Sequence, residues 1–320
     1  MIVKNYGILN YDKVSVDNFT SEKGLKIRRK LNPVLRKIFK IATKGDIIVD
    51  NYPKLEDGKP YIFVATHNFV EDTISTLATI DRNAYLLFGT TNQLKVNPEM
   101  YAAWANGFIY VDRKDEQNRK DALLKMKKVL KSGSSVLIFP EGGFNNTENL
   151  LCQRLFASPY ILSKATGCEV VPIAPYNEFG KKEIYMNVGE PINLGAYEDK
   201  NESLTYLRDE LATLLYENLE NHAPHIKRSD LGDNPRLDYM EERKNEYLKT
   251  RWTEDVWNEE LTIYRDHVER EFDSIDEDLK NVHIDKNNAY VMAPVLSRIQ
   301  TKEKYDFKSY MHENWNKNVR

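Results

Sequence analysis

The chain has only two cysteines in 320 residues, Cys152 and Cys168, and they do not form a Cys-x-x-Cys pair. That excludes a disulfide scaffold and a thiol redox motif. The cysteines read as two buried or half-buried free thiols in a reducing compartment. Long apolar runs are also missing. Runs such as Val136–Phe139 fall far below the ~20 residues that a bilayer span requires, and the stretch Met1–Tyr6 lacks the apolar region of a secretory signal. A cytoplasmic location is the expectation. The net charge of −3 leaves no basic excess for nucleic acid. No Gly-x-Ser-x-Gly occurs, which excludes the usual nucleophile elbow. Of six histidines, His222 and His225 lie close together. They flank Pro224 without a cysteine or carboxylate at ligand spacing, so they read as a polar helix-end loop and no metal is expected. No internal repeat is evident.

What is present begins with His67 and Asp72, five positions apart after the apolar run Tyr61–Ala65. A carboxylate beside an imidazole fixes the ring and its tautomer and leaves the other nitrogen to take a proton. On a regular helix, positions i and i+5 do not share a face. The pair meets only if His67 leaves a strand and Asp72 opens a helix, which Thr73–Ile80 supplies. Alone, Asp72 reads equally well as a helix N-cap.

Three further blocks follow. Gly107–Arg113 is an apolar strand ending in an arginine, whose planar fork suits a phosphate. Val136–Gly143 runs a strand into Phe139-Pro140-Glu141-Gly142-Gly143, a tight loop that brings backbone N–H groups close to a ligand. Val170–Pro175 is an apolar strand interrupted by Pro172 and Pro175, which by itself reads as an edge strand.

In this order and spacing, the four blocks resemble the glycerophospholipid acyltransferase family, 1-acylglycerol-3-phosphate O-acyltransferase and its relatives, over roughly residues 45–195. The resemblance implies that His67 is the general base for the acceptor hydroxyl and that Asp72 orients it. Arg113 would grip the acceptor phosphate, while Glu141, Gly142 and Gly143 would shape the acceptor pocket and Pro172 would border it. Lys95 would match a phosphate-binding lysine. The implied reaction uses acyl-CoA or acyl-carrier protein as co-substrate, no cofactor, and a lysophospholipid acceptor in phospholipid biosynthesis. The family's third block usually continues Thr-Arg after Glu-Gly. Here Gly143-Phe144-Asn145-Asn146 follows, implying a more polar, less cationic wall and leaving glycerol 3-phosphate or another polar acceptor open. A catalytically silent lipid-surface protein is the competing class. Direct transfer is the simpler chemistry without a nucleophile elbow, and backbone N–H groups near His67 or at the next helix start are the expected oxyanion donors.

Apolar strands at Ile47–Val49, Ile62–Ala65, Tyr85–Phe88, Phe108–Val111, Val136–Phe139, Val170–Ala174 and Ile184–Val188 alternate with helical patterns such as Arg119–Lys131 and Ser203–Asn221. This predicts an α/β domain with a central, largely parallel sheet flanked by helices. The expected organisation is a lead-in with a basic helix (1–44), a catalytic domain (45–225) and a mostly helical C-terminal extension (226–320). Between Lys23 and Lys44, Lys26, Arg28, Arg29, Lys30, Arg36, Lys37 and Lys40 occur with no acid. Leu31, Val34, Leu35, Ile38, Phe39 and Ala42 fall at helical spacing. Such a helix suits an anionic membrane surface, at ~1 kcal/mol per basic residue, and implies a peripheral position on the inner face of the cell membrane. The extension carries Tyr247, Trp252, Trp257 and Tyr264 and an apolar island at Ala289–Leu296, with aromatics expected to pack.

Overall fold

The computed structural model describes residues 14–17, 19–43, 45–69, 71–89, 99–145, 150–178, 180–233, 235–249, 253–255, 257 and 258. Lys95, Asn146, Trp252, Tyr264 and the Ala289–Leu296 island lie outside the described residues.

The strands arise where the apolar runs lie: β1 (Asp46–Asn51), β2 (Ile62–Ala65), β3 (Ala84–Phe88), β4 (Phe108–Tyr110), β5 (Ser135–Ile138), β6 (Val170–Asn177) and β7 (Glu183–Val188). They form one sheet in the order β1-β7-β6-β2-β5-β3-β4. β2 pairs in parallel with both β5 and β6, and β3 with both β5 and β4. β7 is antiparallel to β6 and carries β1 parallel to itself, so these two run against the other five. Ile62, Phe63, Val64 and Ala65 are all 0 % exposed. Successive strand residues face opposite sides, so both faces of the sheet are covered at its centre, while the edge strand β1 is largely exposed. Each large apolar side chain buried this way stabilises the fold by roughly 1.5–3 kcal/mol.

The helices are α1 (Glu22–Ala42), α2 (Asp72–Thr79), α3 (Glu99–Asn106), α4 (Glu116–Lys131), α5 (Ser158–Thr166), α6 (Lys200–His222) and α7 (Pro235–Lys249). α4 starts a turn earlier than its apolar face suggests because Asp115 caps the amides of Gln117 and Asn118. α2 lies on β6, β7 and β1, and α4 lies along β3, β4 and β5, while α6 packs on β6 and β7.

β6 is central in the sheet, not the edge strand that two prolines suggest. The reason is where each proline falls. Pro172 lies just before Ile173, whose pairing with Val188 is the last rung to β7. Pro175 lies two residues beyond Ile173, whose pairing with Ala65 is the last rung to β2. Pro175 thus lacks its N–H beyond the last rung to β2, and Pro172 lacks its N–H at the end of β7, where its carbonyl still accepts the Gly189 amide.

α1 has two apolar faces. Leu25, Leu35 and Phe39 are buried against the domain, whereas Ile27, Leu31, Val34, Ile38 and Ile41 form an exposed stripe at 4-3-4-3 spacing. Several of its cations are occupied inward. Arg29 bonds the carbonyls of Ser132 and Gly133, and Arg36 bonds those of Ala78 and Thr79 at the end of α2. Lys26, Lys30, Lys37 and Lys40 remain exposed.

The compact unit that contains the sheet extends to Leu261. It therefore includes α7. His222, at the end of α6, also reaches back: its Nε2 lies 2.7 Å from Asp50 Oδ2, and its ring stacks on Tyr185 at 3.6 Å. The carboxylate missing from its local sequence comes from the edge strand β1. Among the described residues, no group of acids, histidines and cysteines could hold a metal ion.

Candidate active site

The C-terminal ends of the parallel strands lie along one edge of the sheet, and the sequence blocks end there. Two residues past β2, His67 Nδ1 lies 3.0 and 2.9 Å from Asp72 Oδ1 and Oδ2. The strand-to-helix turn closes this gap, with Asp72 as the first residue of α2. Asp72 has no exposed side-chain surface, and the His67 side chain is 17 % exposed. Oδ2 also accepts the amides of Asn68 at 2.7 Å and Phe69 at 3.1 Å. Asp72 does not cap α2 in the usual sense; it folds back to gather the turn that carries His67. A buried carboxylate accepting N–H bonds favours Nδ1–H on the ring and leaves Nε2 as the acceptor. Among the described residues, no hydrogen bond engages Nε2.

Oxyanion donors are expected among the amides near His67 or at the start of α2. Those near His67 are committed elsewhere, Asn68 and Phe69 to Asp72 and His67 N to Glu141 Oε1 at 2.9 Å, which leaves the start of α2.

Glu141 is 0 % exposed. Its second oxygen accepts the Gln153 amide at 2.8 Å, while Asn145 N donates to the His67 carbonyl at 2.7 Å. Glu141 therefore shapes the site from beneath, by lashing the loop after β5 to the loop that presents His67. Burial pushes its carboxyl up to about 7, against the two amide bonds, which favour the charged form. The unfolded chain titrates near the ordinary value of 4.5. The folded state thus holds this proton more tightly. The contribution to stability is fully present below pH 4.5 and is lost as pH rises through 7, on the order of 3 kcal/mol in all. Glu141→Gln mimics the protonated form. Its stability relative to wild type should rise from pH 4.5 to 7.5 in urea unfolding; a pH-independent difference would remove Glu141 from this titration.

Gly142 has a φ of 80°, and a Cβ there would come 2.4 Å from the Phe156 ring, so the turn after Pro140 requires glycine. Gly143 is buried beside it. Phe144, expected in a polar wall, is buried and stacks on the His67 ring with centroids 3.8 Å apart; Phe139 lies 4.5 Å from the same ring. Asn145 is also buried, its side chain held by the Leu150 carbonyl. The wall beside the imidazole is aromatic, and this corrects the polar expectation: Phe144 meets rings from His67 and from the distant Tyr247.

Arg113 follows β4, three strands from β2, or about 14 Å along the sheet. Its guanidinium leans toward the centre over Gly89, at the end of β3, where a Cβ would fall 3.0 Å from Nη2. Among the described residues no carboxylate pairs with it, so the fork is open to an anion. His67, Asp72 and Glu141 are thus brought together, Arg113 stands apart over the end of β3, and Lys95 lies outside the described residues.

Side chains outside the blocks also reach the site. Gln153 binds Glu141 through its amide and the Phe144 carbonyl through Nε2 at 3.1 Å. From α7, Arg243 Nη2 and Tyr247 Oη both donate to the Asn68 carbonyl. No motif marks any of the three.

A mostly parallel sheet flanked by helices, with a carboxylate-held imidazole at the C-terminal ends of its strands, defines an α/β fold with a candidate proton-transfer site. The family model named Acyltransferase matches residues 46–175. In its fold the chain is similar to the 1-acyl-sn-glycerophosphate (LPA) acyltransferase PlsC from Thermotoga maritima. The two are 17 % identical with a TM-score of 0.50, over 69 % of this chain and 90 % of that one. No curated protein matches the sequence.

Proposed function

We propose that this acyltransferase moves a fatty acyl group from acyl-CoA or acyl-carrier protein to the hydroxyl of a phosphate-bearing lysolipid such as 1-acylglycerol 3-phosphate. The observation that carries this reading is the dyad, with both Asp72 oxygens within 3.0 Å of His67 Nδ1. Nε2 takes the hydroxyl proton as the alcohol oxygen attacks the thioester carbonyl. The tetrahedral intermediate then collapses, the C–S bond breaks, and Nε2 returns the proton to the thiolate. Arg113 holds the phosphate bidentately. The solved relative acts on 1-acyl-sn-glycerophosphate by its description, which supports this acceptor class and a role in phospholipid biosynthesis.

Such an acceptor lies in a membrane. No helix among the described residues is long and apolar enough to cross one. The exposed stripe Ile27, Leu31, Val34, Ile38 and Ile41, beside Lys26, Lys30, Lys37 and Lys40, supplies a face that lies on an anionic surface instead.

The test is thiol release from each donor with lysophosphatidic acid, glycerol 3-phosphate or no acceptor, on anionic phosphatidylglycerol vesicles. Acceptor-dependent release with lysophosphatidic acid, a raised acceptor KM in Arg113→Ala, and loss of vesicle binding when the four lysines become glutamine support the reading. Release that favours glycerol 3-phosphate moves the acceptor to that class. Vesicle binding without turnover on any acceptor points to a silent lipid-surface protein.

A further inference from the structure

α7 lies outside the residues that match the family, yet it ends in the site. The Asn68–Phe69 peptide is the link. Its N–H, on Phe69, donates to Asp72 Oδ2 at 3.1 Å. Its carbonyl, on Asn68, accepts from Arg243 Nη2 and from Tyr247 Oη at 3.5 Å. A peptide unit is planar, so holding one end fixes the direction of the other. A cationic donor on the carbonyl also polarises the unit and strengthens the N–H bond to the carboxylate.

The two α7 side chains are themselves fixed. Arg243 is 2 % exposed and Tyr247 is 1 % exposed. Arg243 Nε donates to Tyr247 Oη at 3.0 Å, which leaves the hydroxyl proton for Asn68. A second line of contact runs through rings. Phe144 stacks on His67 and meets Tyr247 at 5.1 Å, and Tyr247 meets Trp257 at 5.3 Å. Phe144, Tyr247 and Trp257 are all buried in this cluster. One member of the dyad is reached through hydrogen bonds and the other through ring contacts, both from the same segment.

We infer that Arg243 and Tyr247 are positioning residues for the His67–Asp72 dyad, so that the C-terminal segment completes the active site. The kinetic part of this inference rests on His67 acting as the base. Arg243 acts through the Asn68–Phe69 peptide on Asp72, and Tyr247 braces both Arg243 and Phe144. A plain packing role would lower stability and leave the ring's tautomer alone. A positioning role loosens the carboxylate and lets the imidazole proton leave Nδ1.

The experiment uses the full chain with Arg243→Gln, Arg243→Lys and Tyr247→Phe. It follows kcat and KM beside the ¹⁵N shifts of the neutral His67 ring, assigned by their loss in His67→Ala. Arg243→Gln should lower kcat up to about 10²-fold with KM little changed, the cost of a small misplacement of a reacting group, and shift the ring from Nδ1–H toward Nε2–H. Arg243→Lys, which keeps one cationic donor, should recover part of both. Tyr247→Phe removes one hydroxyl and keeps the ring, so it carries the test if Arg243→Gln does not fold. Unchanged kcat and an unchanged tautomer in folded variants overturn the inference. If wild type transfers no acyl group, the proposed function fails, while the tautomer shift still decides whether α7 positions the dyad.

Discussion

His67→Ala should lower acyl transfer by about 10²–10⁴-fold, the range for a positioned general base, and leave the protein folded. The geometry explains why these effects separate. Asp72 keeps the amides of Asn68 and Phe69 and the Thr73 hydroxyl when the imidazole is gone. No buried charge is stranded, and the large penalty of an unpaired carboxylate is avoided. The loss is ring contact with Phe139 and Phe144 at a half-buried position, worth about 1–3 kcal/mol by the usual scale for such truncations. The check is kcat/KM beside Tm. Turnover within tenfold of wild type would remove His67 from the mechanism.

The central strands β2, β5 and most of β6 were legible because they are buried on both sides. A run such as Ile62–Ala65 has no polar alternate and no helical period, so its sequence admits little else. The dyad was legible for a related reason. Two residues five apart can meet only around a strand-to-helix turn, and the flanking patterns supplied one. What escaped the sequence depends on contacts made far along the chain. Arg243 and Asn68 are 175 positions apart, His222 and Asp50 172; local patterning carries no trace of either pairing. Phe144 was misread because two asparagines follow it, while its environment is set by His67 and Tyr247. Glu141 was placed at the pocket by the resemblance alone, which says nothing of its burial. Its burial follows from two loop amides that need an acceptor. The two faces of α1 were merged because Leu35 and Ile38 both count as apolar in a periodicity, although one meets the core and the other meets solvent.

Asp72→Asn tests the dyad more stringently, since it changes one atom and keeps the fold. The amide oxygen can take the place of Oδ2 and go on accepting from Asn68 and Phe69. That orientation puts the NH₂ group at the Oδ1 position, 3.0 Å from His67 Nδ1. The NH₂ group there competes with the amide oxygen at the Oδ2 position, 2.9 Å from the same nitrogen, and favours a ring whose Nδ1 accepts and whose proton sits on Nε2. Nε2 is the nitrogen that has to be empty to take the proton from the acceptor hydroxyl. The expected loss is on the order of 10³–10⁴-fold in kcat, through the wrong tautomer and the lost support for the imidazolium. Tm should stay close to wild type, and ¹⁵N shifts should report an Nε2–H ring. Asp72→Ala, by contrast, leaves two amide N–H groups without their acceptor and should destabilise the turn, at about 1–3 kcal/mol for each buried donor. A folded Asp72→Asn protein with an Nε2–H ring and undiminished turnover would show that proton transfer does not pass through this nitrogen.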